Sequence, residues 1–146
     1  MIDREINPNP IAQGRYVPAT RTDNMIFTAG MTPRKNGILI KSGKIKLSES
    51  LEDYKEAVIQ ATANTITASR NLLVEGEEIV RILSLSVYVN AEEGFISQSK
   101  LADFASEFLY EELGDAGIGA RAAIGVASLL GDAPVEVQMV ALIKKI

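Results

Sequence analysis

Apolar and small residues recur along the chain with two periods. From Leu51 they fall at Tyr54, Val58, Ala61, Thr65, Ala68 and Leu72, steps of three and four that share one helical face. Ser50-Leu51-Glu52-Asp53 is a capping-box-like start for this helix, and Gly76 reads as its left-handed stop. The threonine- and alanine-rich middle predicts close packing on a sheet. Leu101, Phe104, Ala105, Phe108 and Leu109 line a second helix that stops at Gly114. Between the helices the period drops to two. From Ile79 to Val89, Leu83, Leu85, Val87 and Val89 alternate with Ser84, Ser86 and Tyr88, which predicts a strand. Two more strands close the chain, about Arg121 to Leu129 and Val135 to Ile143, separated by the turn residues Gly131-Asp132-Ala133-Pro134. At the front, Tyr16 to Ala19 and Met25 to Ala29 are short strand candidates around an Asp23-Asn24 turn. A loop from Pro33 to Gly37 and a short strand from Ile38 to Ile40 follow. The first fourteen residues, with Asn7-Pro8-Asn9-Pro10, read as an extended arm.

This order predicts an α+β fold in one domain spanning residues 1–146, with an antiparallel or mixed sheet and both helices on one face. The last strands are apolar on both sides. Val135, Val137, Met139, Ala141 and Ile143 form one stripe, and Val140 and Leu142 are apolar on the opposite one as well. Burial on both faces is expected. Helices cover one face, and a neighbouring subunit is expected on the other, making a homo-oligomer.

Composition narrows the chemistry. The 146 residues are 47% hydrophobic and 23% charged, with a formal net charge of −4. An acidic chain repels phosphate backbones, which argues against nucleic acid as a partner. Lys35, Lys41, Lys44 and Lys46 fit a solvated loop and edge strand better than a binding patch. The N-terminal stretch lacks the apolar core of a signal peptide, and no run approaches the roughly 18 apolar residues of a membrane span. A soluble, cytoplasmic protein is expected. With no cysteine and no histidine, disulfides, thiolate nucleophiles and Ser–His–Asp systems are excluded, and a catalytic zinc site is not expected. The string Gly117-Ile118-Gly119-Ala120-Arg121-Ala122 fits a loose dinucleotide fingerprint. It follows a helix and opens a strand, the reverse of what pyrophosphate binding needs.

One pair of charges stands out. Arg121 heads an apolar run and Glu136 sits early in the next. Arginine can hold a carboxylate through two parallel hydrogen bonds, and a carboxylate at an apolar wall can act as a general base. A structural ion pair, or two exposed charges at sheet edges, would use the same residues. A hairpin turning at Gly131-Asp132 would set Glu136 opposite Ala127, with Arg121 roughly 20 Å further along its strand. Within one hairpin the two could not share a small ligand. A pocket between subunits would let them meet.

The chain resembles the Rid (reactive intermediate deaminase) family, also called YjgF or L-PSP endoribonuclease-like. The likeness covers nearly the whole chain. It rests on Tyr16, on NMIFTAGMTP from Asn24 to Pro33, on the helix from Leu51, and on SLSVYVN from Ser84. Most specific is Arg121 followed fifteen residues later by Glu136 inside ARAAIGVASLLGDAPVEVQMVALI. The resemblance implies a chorismate-mutase-like trimer with helices outside, sheets forming an inner barrel, and ligand clefts between subunits. It implies a cofactor-free deaminase that hydrolyses 2-imino acids to 2-keto acids and ammonia. By position, Arg121 would bind the substrate carboxylate and Glu136 would direct water. Tyr16 would line the cleft, and the Gly30 amide would touch the ligand. Ala29 stands where the family often has serine, and Ala123 where a cysteine or similar residue is common. A family asparagine on the second helix is replaced near Ala102 or Asp103, and the Phe95 to Phe108 segment is longer than usual. These changes leave two alternatives: a non-catalytic trimer that senses small carboxylates, and the family's endoribonuclease label.

Overall fold

Asp23 and Asn24 close a two-residue turn, with Asp23 at φ 48°. That turn sets the first hairpin, β1 (Ala19–Thr22) against β2 (Met25–Thr28), because Thr22 must then face Met25. In the computed structural model, which describes residues 8–146, the first strand therefore begins at Ala19 and not at Tyr16. A strand abuts a two-residue turn, so the candidate at Tyr16 to Ala19 lay three residues too early. Of the expected N-terminal arm, residues 1–7 lie outside the described residues, and residues 8–14 form no helix or strand.

Asn36 (φ 54°) and Gly37 (φ 81°) make a second two-residue turn joining β3 (Arg34–Lys35) to β4 (Ile38–Leu39). Both central residues need positive φ there, and Asn-Gly supplies it. The stretch read as a loop plus a lone strand is thus a small hairpin. The Ser50 capping box is present, but it opens a 3-10 turn at Leu51–Tyr54 before α1 (Lys55–Arg70) begins. Helix α1 ends earlier than its pattern suggests. Leu72 and Leu73 donate to carbonyls three residues back, tightening the last turn, and Gly76 instead turns the chain into β5 (Glu77–Asn90). After β5 come α2 (Gln98–Leu113), β6 (Ala120–Val126) and β7 (Val135–Lys145).

The main sheet runs β1-β2-β7-β5-β6, antiparallel except for the parallel β5–β6 pair. Both helices pack on one face, over Leu85, Val87, Val89, Val135, Val137, Met139, Ala141 and Ile143. The mixed sheet and one-sided helix layer match the expected α+β architecture. Two details differ. Bulges between Ile79 and Arg81 and between Ile82 and Ser84 reset the alternation, so Ile82 is fully buried where strict period two would bury Leu83. The expected hairpin of the last two strands does not form. β5 lies between β6 and β7, and Tyr88 pairs with Ile124 on one side and Glu136 on the other.

The face away from the helices carries Ser86, Tyr88, Gln138 and Glu136, with Phe27 (41% exposed) and Ile124 (42% exposed) among them. It mixes apolar and polar side chains, and among the described residues no layer of this chain covers it.

Asn90, fully buried, joins the end of β5 to the turn before β7. Its Nδ2 donates to Asp132 Oδ1 (3.2 Å) and the Ala133 carbonyl (3.0 Å), and its Oδ1 accepts from Lys44 Nζ (2.7 Å). Lys44 also donates to the Ala127 carbonyl, so this lysine is tied down and not merely a solvated edge charge. Asn90→Leu removes three side-chain bonds and leaves the buried Ala133 carbonyl without its amide donor, which should cost about 2–3 kcal/mol. Urea unfolding checks this. A loss of about 0.5 kcal/mol or less, the size of an ordinary surface change, would show that the cluster does not hold this end of the sheet.

Candidate active site

The site begins with a break in β2. Phe27 still pairs with Val140, but the next pairing of this strand with β7 is Met31 with Val137. Four steps on one strand therefore match three on the other, a one-residue bulge at Thr28 to Gly30. The buried Thr28 hydroxyl repairs the ladder, accepting from the Met139 N–H at 3.1 Å and donating to the Ala29 carbonyl at 2.9 Å. Ala29 donates its N–H to the Pro18 carbonyl. Gly30 is pressed against Glu136. A Cβ there would collide with the Glu136 carboxylate, so a larger residue would push that side chain off the cavity wall.

Beside the bulge lies a cavity of about 760 Å³. Tyr16, Ala29, Gly30 and Glu136 all line it. The Tyr16 hydroxyl accepts from the Gln13 N–H at 2.9 Å, which holds the ring at the rim, 46% exposed. Glu136 is partly buried, and burial pushes its carboxyl above the ordinary 4.5. Among the described residues no hydrogen bond or ion pair engages that carboxylate. It is a base held at a cavity wall with its proton affinity raised.

Arg121 and Ala123 are not in this cavity. Arg121 is level with Leu85 and shares its helix-facing side of the sheet, whereas Glu136 is level with Tyr88 on the opposite side. The guanidinium, 20% exposed, bonds Asp103 Oδ1 (2.8 Å), Ser106 Oγ (3.0 Å), and the Oγ and carbonyl of Ser99 (2.9 and 3.2 Å), all on α2. An ion pair between Arg121 and Glu136 does not exist, and the partner of Arg121 is Asp103. Ala102, the neighbouring candidate for the family asparagine, faces the core and is fully buried. Ala123 lies two residues along β6 from Arg121 and is partly buried against the core. The chain thus gathers Tyr16, Ala29, Gly30 and Glu136, and carries Arg121 and Ala123 elsewhere, on an edge strand.

Sequence reasoning missed two cavity residues, Arg34 and Asn64. Arg34 comes from the Asn-Gly hairpin, and Asn64 of α1 donates to the Thr32 and Arg34 carbonyls (3.3 and 2.9 Å), fixing that hairpin on the helix. The dipeptide Asn36-Gly37 was the available signal. Among the described residues no cluster of three or more acidic residues could hold a metal ion, and no helix is long and apolar enough to cross a membrane.

The five-stranded mixed sheet with two helices on one face defines an α+β protein of the chorismate-mutase-like kind. The family model described as Endoribonuclease L-PSP matches residues 7–143, and the chain belongs to that family, also called YjgF or Rid. Among similar proteins, Protein TCP17 of Trypanosoma cruzi is 26% identical over 123 residues, 84% of this chain and 77% of that protein. The crystal structure of Atu1372 from Agrobacterium tumefaciens, a protein of unknown function, is 27% identical with a TM-score of 0.81, covering 93% of this chain and 86% of that one. A candidate endoribonuclease from Shewanella oneidensis is 25% identical with a TM-score of 0.83, covering 92% and 89%.

Proposed function

We propose that the protein is a cofactor-free hydrolase of 2-imino acids and their enamine tautomers, working at clefts between the subunits of a homotrimer. The observation that carries this reading is Glu136, a carboxylate with raised proton affinity and no partner among the described residues, on the wall of a cavity beside a glycine bulge. A protonated imine is already electrophilic, so the protein need only position water and hold the substrate. Glu136 takes a proton as water adds to the imine carbon, and returns it to the nitrogen. The C–N bond then breaks as the hydroxyl oxygen forms the carbonyl and gives its proton to Glu136, leaving a 2-keto acid and ammonia. The uncovered sheet face and the free edge of β6 suit packing against a second and third copy, which would bring a neighbour's Arg121 to the Glu136 cavity. There it would hold the substrate carboxylate by two parallel bonds.

The family's endoribonuclease description favours a second reading, RNA cleavage. A net charge of −4 and the lack of histidine weigh against it. A binding-only trimer would need Arg121 but not Glu136. The deciding assay follows 2-aminoacrylate, generated in situ by a pyridoxal-phosphate dehydratase. Faster decay in the presence of the protein, lost in Arg121→Ala, is the expected result. Unchanged decay together with binding of 2-keto acids would favour the sensor instead.

A further inference from the structure

Arg34 has a role that the imine chemistry above does not use. It lines the Glu136 cavity, and one hydrogen bond holds its side chain. Nη1 donates to the Gly37 carbonyl at 2.9 Å, and Nη2 lies against the turn before β7, where a Cβ on Gly131 would come within 2.9 Å. Its Nε is buried and makes no hydrogen bond. Among the described residues no carboxylate answers this cation. The ion pairs among the described residues are Arg21–Glu77, Arg70–Glu112 and Arg121–Asp103. A guanidinium cannot shed its proton, so a partly buried one without an anion carries a standing desolvation cost that a bound anion relieves. Lys35, the next residue, lines the same cavity, and Glu136 is the one carboxylate among its described lining residues. The cavity thus holds a cationic end of its own, apart from any contribution of a neighbour's Arg121.

We propose that the preferred substrate is an imine or enamine of an amino acid whose side chain ends in a second carboxylate, and that Arg34 binds that distal group. This rests on the imine reading above. Arg121 of a neighbour would take the α-carboxylate, Glu136 the water, and Arg34 the far end. The immobilised guanidinium is pre-organised for the planar, two-oxygen geometry of a carboxylate.

The test uses the product class as probes. Titration calorimetry on the full-length protein compares 2-oxoglutarate, which has the second carboxylate, with 2-oxobutanoate, which lacks it. The wild type should bind 2-oxoglutarate at least about tenfold more tightly, a difference of ~1.4 kcal/mol. Arg34→Met should abolish the preference, and Arg34→Lys should keep part of it. Equal affinities in the wild type, or a preference that survives Arg34→Met, would overturn the proposal. The wild-type comparison stands even if a variant fails to fold. Wild-type protein that hydrolyses 2-aminoacrylate yet binds both keto acids equally keeps the imine reading and sinks only the distal-carboxylate one. Protein that neither hydrolyses 2-aminoacrylate nor binds either keto acid sinks both.

Discussion

Glu136→Gln should lower imine hydrolysis by on the order of 10²–10⁴-fold, the usual contribution of a general acid–base group, and should raise stability at neutral pH. Both effects have one cause. Glutamine keeps the size of the side chain at the cavity wall and removes its charge. The carboxyl of Glu136 is raised above the ordinary 4.5 by burial, so the folded state favours its protonated form. The stability linked to that proton is fully present below the unfolded value. It is lost as the pH climbs through the higher folded value, because the folded protein must then hold a poorly solvated charge. The variant carries no such charge. Its melting temperature should match the wild type near pH 4 and exceed it increasingly toward pH 7. A gain in stability coupled to a loss of turnover is the mark of a residue kept for function at a structural cost. Melting curves across this range, with 2-aminoacrylate turnover measured alongside, check both halves. A variant that turns over normally would remove Glu136 from the mechanism.

The same residue shows what was legible in the sequence. Helical periodicity located α1 and α2, because each presents a continuous apolar face to one sheet, and burial at Val58, Ala61, Leu101, Ala105 and Leu109 follows that pattern. The Asp23-Asn24 turn was readable too. Strand order was not. Gly131-Asp132-Ala133-Pro134 has the composition of a hairpin turn, yet the strands it connects are separated by β5. Neighbours in sequence pair only about two-thirds of the time, and nothing local reports the insertion of a strand from far upstream, Glu77–Asn90. The bulges in β2 and β5 escaped for a related reason. Each is a mismatch between two strands, so neither strand shows it alone. Arg34 and Asp103 acquire their places through contacts with α1 and β6 that no spacing encodes. The separation of Arg121 from Glu136 was anticipated, but from the wrong geometry. The hairpin argument put them on one ribbon, whereas they lie two strands apart on opposite faces.

That separation makes the largest assembly-level effect predictable. Glu136 is level with Ile124 through Tyr88, so Arg121 is three residues along and two strands across, roughly 14 Å between Cα atoms. With the side chains also on opposite faces, one subunit cannot bring both to a small ligand. On the reading proposed above, each cleft would take Glu136 from one copy and Arg121 from the next. Arg121→Met alone should lower kcat/KM by on the order of 10²–10³-fold, the loss of a two-bond grip on a carboxylate. Trimers of Arg121→Met alone or Glu136→Gln alone would both be nearly inactive. Trimers assembled from an equal mixture should recover about a quarter of the wild-type clefts, since half the positions supply a sound Arg121 and half of their neighbours a sound Glu136. Arg121→Met also loses its hold on α2, so Asp103→Asn is the control. It breaks the same ion pair, which is exposed on the Asp103 side (57%) and worth at most about 1 kcal/mol, but leaves the guanidinium in place. Turnover retained in Asp103→Asn and activity restored by mixing would together locate the reaction between subunits. Mixed trimers as inactive as their parents would confine it to one subunit, and Arg121 would then be an anchor for α2 and nothing more.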